Sequence, residues 1–392
     1  MIYYFKIAVV ILLRFMLRIL WIFPVKRNRI LFVANEGRVY GCNPQYIFEY
    51  LWSHFGNSYD YVWCLEENGK IQEEVHVICV KYLSPQYLFY LFTSGVVITN
   101  MLIEPFFIKR KGQLVISTWH GGGAYKKGDS NALFVSGSRA VYMNCVRNLR
   151  SGQTDYVISS CKAFTDTHHA VFNIEPLRFL PIGMPRNDLF FLSVQDSFRK
   201  KICGRLHIDP DKKIILYAPT YRGLWRNAEL PDASLDVMAV CTAVCKRFGG
   251  EAAFLLRQHP NLKKMNASYD TNKTIDVCDY ASMQELLFIA DVFITDYSSA
   301  LWDYSFTYRP GFLFTPDLEE YEATTSLYTP IDLWPYPYAK DMEQLCSLIL
   351  NYKEEAALEK IKVHHNLLNS YENGTATESI CRIIENHSMS NY

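Results

Sequence analysis

The chain carries no net charge, because Lys plus Arg and Asp plus Glu number 40 each. A basic excess is the electrostatic mark of a nucleic-acid binder, and here it is missing. Paired cysteines are missing too. The 11 cysteines are scattered and odd in number, with no Cys-x-x-Cys. That points away from a zinc site or a disulfide framework and toward a reducing cytoplasm. No cluster of carboxylates suggests a metal, and no cofactor is expected. The sequence lacks low-complexity segments and repeat periods, and no small-residue cleavage site follows the N-terminal apolar run, as a secreted precursor needs. What remains is abundant core material: 392 residues, 49% apolar, with 24 Phe, 27 Tyr and 7 Trp. This is enough for two domains of ordinary size.

Acidic residues are absent up to Asn35, where six cations (Lys6, Arg14, Arg18, Lys26, Arg27, Arg29) stand alone. Residues 7–25 are mostly apolar, but Arg14 and Arg18 interrupt them one helical turn apart. Two arginines near the middle of a spanning helix are costly. On a helical projection Lys6, Arg14 and Arg18 share one side. The pattern therefore favours a membrane-interface helix over residues 1–28, ahead of a transmembrane anchor or a buried core helix. Trp21 and Phe23 then lie near the headgroups and the Lys26–Arg29 cluster on anionic membrane lipid.

From Arg29 onward short apolar, β-branched runs alternate with helical stretches. Strands are predicted at 29–34, 59–65, 75–80, 96–100, 114–118 and 156–160, with helices at 44–54, 84–92 and 163–172 between some of them. Around 183–212 the pattern breaks into a charged stretch that reads as an interdomain linker. A second series follows: strands at 214–218, 252–257, 274–277, 292–295 and 311–314, helices at 235–247, 282–289 and 298–307, and two closing helices within 341–368 and 377–386. Such alternation predicts parallel sheets with helices on their faces. The expected architecture is α/β, with two Rossmann-like domains around a central cleft, a GT-B-type glycosyltransferase fold. Their bounds are 29–190 and 191–392, and the last helices are free to pack back on the N-terminal domain. Ligands in such sheets bind beyond the carboxyl ends of the strands.

The motifs lie at those ends. Strand 114–118 runs into Trp119-His120-Gly121-Gly122-Gly123, where glycines let a histidine approach a ligand closely and its pKa suits proton abstraction. Pro219-Thr220-Tyr221-Arg222 offers a hydroxyl and a guanidinium. Arg257 and His259, two apart on an extended chain, project to one side as donors for a pyrophosphate. Strand 292–295 stops at Asp296, and Ser298 and Ser299 open a helix whose N–H groups and dipole suit a phosphate. Asp303, four residues beyond Ser299, shares its face and is placed to meet a nucleotide hydroxyl. Pro185-Arg186-Asn187-Asp188 lies in the expected linker, from which an arginine reaches inward.

These segments, in this order, resemble the CDP-glycerol glycerophosphotransferase family, the polyol-phosphate transferases and polymerases that build teichoic acids and related capsules. Family members carry Trp-His-Gly-Thr-Pro-Leu-Lys, Pro-Arg-Asn-Asp, Pro-Thr-Trp-Arg, Arg-x-His and Asp-Tyr-Ser-Ser followed by Asp. Echoes at Gly41–Leu51, Asn100 and Asp155–Ser160 extend the likeness from about residue 30 to about 350. The resemblance implies transfer of glycerol phosphate, or another polyol phosphate, from a CDP-polyol donor to a lipid-linked or polymeric acceptor, with release of CMP; the cationic N-terminal helix is expected to hold the enzyme on the cytoplasmic face of the membrane. It implies His120 as the base and Arg186, Thr220, Arg257 and His259 on the diphosphate, with Ser298 and Ser299 at the helix start. Asp303 then meets the nucleoside or the transferred group, and Trp119, Gly121, Pro219, Arg222 and Asp296 complete the substrate-binding segments.

The chain also departs from the pattern. Gly122 and Gly123 replace Thr-Pro, and Tyr125 stands at the lysine position with Lys126 beside it, so a freer loop and a displaced cation are expected. Two rival readings stay open: a sugar transferase of the same fold using a UDP- or GDP-sugar, and a catalytically silent membrane scaffold.

Overall fold

A computed structural model describes the chain except for residues 67–75, 128–135, 194–195, 221, 223–234, 259–273 and 390–392. The chain forms two units, one from residues 1–122, 128–188 and 370–392, the other from 123–127 and 189–369.

The first unit is built on a seven-stranded parallel sheet of β1 (Lys26–Val33), β2 (Asp60–Cys64), β3 (Val77–Val80), β4 (Ser94–Thr99), β5 (Leu114–Ser117), β6 (Tyr156–Ser159) and β7 (Phe179–Pro181), in the order 3-2-1-4-5-6-7. Parallel strands covered on both faces need apolar residues at every position, and Ile30–Val33 and all of β4 are buried accordingly. Alternate side chains feed opposite cores. Phe32, Tyr61 and Trp63 pack with Ile47, Phe48 and Leu51 of α2 (Cys42–Phe55). Leu31, Val33, Val62 and Val97 pack with Tyr87, Leu91 and Phe92 of α3 (Pro85–Thr93) on the other face. Ser84 caps α3 by accepting from the Tyr87 N–H at 3.1 Å, with Pro85 in the first turn.

The N-terminal segment forms α1 (Ile2–Met16) and a 3₁₀ continuation to Ile22, and α1 packs on α4 (Gly137–Ser151) with the Tyr3 and Tyr142 rings 5.8 Å apart. Its partly buried stripe is Tyr3, Ile7, Val10, Arg14 and Leu17. Arg14 therefore faces the protein, where its guanidinium donates to the Pro105 and Phe107 carbonyls, each at 2.7 Å. This differs from the single cationic face read from the projection. A guanidinium can occupy an apolar stripe when fixed carbonyls satisfy it. Lys26 pairs with Asp60, and Arg29 donates to Thr93 and stacks over Tyr90, so two members of the basic cluster are engaged within the unit. The exposed face of the segment is apolar, with Ile2, Phe5, Val9, Leu12, Met16 and Ile19 in line. Among the described residues no helix is long and apolar enough to cross a membrane.

The second unit repeats the plan with six parallel strands in the order 10-9-8-11-12-13: β8 (Lys213–Ala218), β9 (Ala252–Leu256), β10 (Ile275–Asp276), β11 (Val292–Thr295), β12 (Gly311–Phe314) and β13 (Tyr338–Ala339). In both sheets the order of winding reverses once, between β1 and β4 and between β8 and β11. Doubly wound sheets bind ligands at these switch points. The charged stretch read as a linker contains α6 (Asp196–Leu206), held by Arg199 on Asp291 at 2.9 Å. Only Ile202 and Cys203 of α6 are buried, which is why its sequence reads as polar connection. Around the sheet lie α7 (Val237–Phe248), α8 (Met283–Ile289), α9 (Ala300–Ser305), α10 (Leu318–Thr324), α11 (Met342–Leu350) and α12 (Glu354–Leu368). The chain ends in α13 (Ala376–Met389), which packs on α2 in the first unit through Ile380 and Ile384.

Candidate active site

The loop after β5 is fixed through its backbone. Asn43, in the first turn of α2, donates Nδ2 to the Thr118 and Trp119 carbonyls, each at 3.2 Å. Arg186 donates Nη1 to the next carbonyl, that of His120, at 2.8 Å, and its own N–H bonds Asn43 Oδ1 at 3.1 Å. Three consecutive carbonyls are thus held by two side chains. The holding has a purpose, because Trp119 lies at φ 51, a left-handed conformation that is uncommon for a bulky residue and survives only where the surroundings impose it.

His120 itself is exposed, beside the half-buried Trp119 and Gly121. Its Nδ1 lies 3.0 Å from the Asn100 carbonyl. Donation there selects the tautomer with the lone pair on Nε2, the form a general base needs. Asn100 is fixed in turn. Its Nδ2 donates to Asn35 Oδ1 at 2.7 Å and its Oδ1 accepts from the Asn35 N–H at 2.8 Å, which ties the ends of β1 and β4 together.

Each residue of Arg186-Asn187-Asp188 holds a different piece of chain. Arg186, 5% exposed, holds the histidine loop, and Asn187 donates to Glu372 Oε1 at 3.0 Å. Asp188 accepts from the Ala376 and Thr377 N–H groups at 3.1 and 2.7 Å, capping α13, while burial raises its carboxyl pKa. Gly183 sits at φ 83, and a Cβ there would stand 2.7 Å from the Glu372 carboxylate.

In the second unit the corresponding strand ends are joined by charge. Asp296 accepts from Thr220 N at 3.0 Å, Thr220 Oγ1 at 2.9 Å, Tyr297 N at 2.6 Å and Arg222 Nη1 at 2.8 Å. Arg222 also forks onto Asp317 and lies over the rings of Tyr297 and Tyr321, which stack 3.6 Å apart. The guanidinium holds the Asp317 carboxyl below its ordinary pKa. Pro219 leads from β8 into this network. Arg257 donates to the Val277 and Tyr280 carbonyls at 3.2 and 2.6 Å, bracing the turn after β10. His259 lies outside the described residues.

Ser298 accepts from the Ala300 N–H at 3.2 Å, and Ser299 begins α9 without a side-chain cap. With six residues α9 is shorter than the sequence predicts, which weakens the dipole argument and leaves the hydroxyls as the polar groups of that turn. Asp303 is 2% exposed and accepts from Gln284 Nε2 of α8 at 3.1 Å. The structure thus brings Thr220, Arg222 and Asp296 together but does not bring Asp303 to the surface.

Residues 123–127 belong to this second unit. Gly123 has φ 67, which the ring of a proline forbids, so glycine in place of the family's proline is a conformational requirement here. The loop expected to be freer is pinned. Lys127 N donates to Ser326 O at 2.8 Å, Tyr328 N to Tyr125 O at 2.8 Å and Thr329 Oγ1 to Ala124 O at 2.5 Å. The Tyr125 hydroxyl reaches His364 Nε2 at 2.8 Å, while His364 Nδ1 sits 2.7 Å from the Leu333 carbonyl. That ring is neutral, and burial pushes its pKa down to about 4.

Residues 15–386 match the model of CDP-glycerol:poly(glycerophosphate) glycerophosphotransferases. The chain belongs to that glycerophosphotransferase family. Among similar proteins, a teichoic acid poly(glycerol phosphate) polymerase of Staphylococcus epidermidis is 28% identical over 92% of this chain, which spans 51% of that relative's length. A teichoic acid ribitol-phosphate primase of Bacillus spizizenii is 29% identical over 81% of this chain and 79% of its own length. The solved wall teichoic acid polymerase TagF superposes with a TM-score of 0.81 at 27% identity, covering 93% of this chain and 90% of that one. Five residues around these motifs were not foreseen: Asn43 beside the histidine loop of the first unit, and Tyr125, His364, Asp317 and Tyr321 in the second. Asn43 follows the Gly41-Cys42 step into a helix, a signal within reach. The tyrosines and His364 read as core residues by composition alone.

Proposed function

We propose that this glycerophosphotransferase moves glycerol phosphate, or a related polyol phosphate, from a CDP-polyol to a hydroxyl of a lipid-linked or polymeric acceptor and releases CMP. His120, on the first unit, removes the acceptor hydroxyl proton through Nε2. The oxygen attacks the β-phosphate, the β-phosphate–oxygen bond to CMP breaks, and the proton resides on His120. Cations and hydroxyls of the second unit, including Thr220, Arg257, His259, Ser298 and Ser299, stabilise charge on the departing phosphates. In this reading the two units are the halves of a GT-B-type glycosyltransferase fold. Trp119, Gly121, Asn43 and Arg186 set the base loop, while Pro219, Arg222 and Asp296 shape the donor end.

The observation that supports the reading is the 3.0 Å approach of His120 Nδ1 to the carbonyl of Asn100, a residue at the switch point of the first sheet in a chain of this family. Calorimetry with CDP-glycerol, CDP-ribitol, UDP-glucose and GDP-mannose, with the released nucleotide identified, tests it. Binding of CDP-polyols and appearance of CMP are expected. Tight binding of a UDP- or GDP-sugar alone, with UDP or GDP released, overturns it.

The N-terminal segment is proposed to lie in the cytoplasmic membrane interface and to engage anionic lipid. Its support is the exposed stripe from Ile2 to Ile19, with Lys6 and Arg18 beside it. Removing residues 1–22 should abolish flotation with vesicles containing anionic lipid while leaving donor binding intact. Unchanged flotation would place the contact elsewhere.

A further inference from the structure

Lys126 occupies an unusual position. It follows Tyr125 in the pinned segment, where an isolated antiparallel bridge pairs it with Leu327. Its ammonium lies 5.6 Å from the centre of the Tyr321 ring, the same ring that Arg222 covers at 5.5 Å. Among the described residues it makes no ion pair or side-chain hydrogen bond. Asp296 and Arg222 are its charged neighbours, and Asp317 stands behind Arg222. Both carboxylates already accept from that guanidinium, Asp296 just beyond β11 and Asp317 just beyond β12. Desolvation outweighs the pull of Asp296 and lowers the Lys126 pKa to about 8. The neighbours therefore do not compensate the desolvation of this half-buried cation. An anion arriving here would.

We infer that the Lys126 ammonium receives a phosphate of the donor nucleotide at the carboxyl end of the second sheet, a position in which Arg222 is already committed to Asp296 and Asp317. The inference rests on the proposed nucleotide donor but not on the identity of its base. A lysine suits this task because its three donors turn freely on a flexible stem, whereas the Arg222 fork is fixed by two carboxylates. Arg222 then acts through its neighbours, holding the carboxylates away from the phosphate.

The test is titration calorimetry of the full chain with CDP and, in parallel, UDP, for the wild type and for Lys126→Met and Lys126→Arg. Lys126→Met should weaken the nucleoside diphosphate that the wild type binds by roughly ten- to a hundredfold, the loss expected for one charge-assisted bond. Wild-type affinity should fall as pH rises through about 8, where Lys126 loses its proton. The ligand's own phosphate is fully ionised there, with its second pKa near 6. Lys126→Arg should keep most of the affinity and lose that decline. Equal affinity in Lys126→Met and the wild type overturns the inference. Should the methionine variant fail to fold, an arginine variant that retains the wild-type decline overturns it as well. If the wild type binds UDP and not CDP, the cytidine reading fails, yet a matching loss of UDP affinity in Lys126→Met upholds Lys126 as the phosphate ligand.

Discussion

At the switch point of the first sheet, Asn35 and Asn100 join the ends of β1 and β4 through neutral amides. At the matching point of the second sheet, Asp296 joins β8 to β11 while accepting from Thr220 and Arg222, with Asp317 on the far side of the guanidinium. The same topology is closed by amides in one unit and by charge in the other. A proton acceptor needs a partner that fixes its tautomer, and a neutral carbonyl does so. A phosphate site needs cations, and buried cations need carboxylates to hold them. That contrast is what the proposed division of roles, a base in one unit and a phosphate site in the other, would require.

His120→Ala offers the largest test of that division. Loss of a positioned base costs about 10²–10⁴ in rate. The side chain is exposed, so thermal unfolding should shift by no more than about 1 kcal/mol and nucleotide affinity should hold. A variant with near-normal kcat would remove the base from the first unit. Arg222→Met should do the reverse. Taking one partner from a buried ion network costs about 3–5 kcal/mol, so denaturant unfolding should show a weakened second unit before any kinetic effect is interpretable. Unchanged stability would mean that Asp296 and Asp317 are satisfied without the guanidinium.

Acid should separate the units next. His364 and His365 of the second unit are buried and neutral, with pKa values lowered to about 4 and about 3. His168 of the first is lowered to about 4. In each case desolvation is the main cause. The unfolded chain binds a proton below pH ~6.5 that the folded ring refuses, so stability is full above that value and falls as pH drops toward 4. Each histidine contributes a slope of up to about 1.4 kcal/mol per pH unit, while the raised carboxyls of Glu104 and Asp188 oppose the loss in the first unit, so the second unit should fall more steeply. Unfolding midpoints between pH 7 and 4.5, followed by a probe in each unit, measure this. Equal slopes would return His364 or His365 to solvent.

Much of this was legible in the sequence. Apolar runs flanked by helix patterns mark parallel strands because both faces are covered, and Val292–Thr295 and Gly311–Phe314 fall where the runs predict. Arg222 and Asp296 were visible as motif residues, but not as partners, because the pairing depends on two strands separated by 76 positions at Thr220 and Asp296 coming side by side. Arg14 misled for the opposite reason. Projection on a helix shows which residues share a side and cannot show that the Pro105 and Phe107 carbonyls wait on that side. The Gly122-Gly123 departure looked like loosened structure, since glycine signals freedom only until a positive φ and a tyrosine ring account for it.

The smallest effects bear on which unit holds the base loop. Asn43→Ala removes the donor to the Thr118 and Trp119 carbonyls, and a lost bond of this kind costs about 1–3 kcal/mol when acceptors are left unsatisfied. Because those carbonyls flank the strained Trp119, the loss should appear in kcat while nucleotide affinity stays constant. Tyr125→Phe removes one hydroxyl from His364 and should cost about 1 kcal/mol of second-unit stability, with the edge contact to Trp334 and the stack on His364 retained. Its effect on kcat should be slight, because Asn43 and Arg186 grip residues 118–120 independently of Tyr125. If kcat instead falls as far in Tyr125→Phe as in Asn43→Ala, the loop takes its geometry from the charged unit as much as from the neutral one. The contrast between the two switch points would then describe their stability rather than their roles in catalysis.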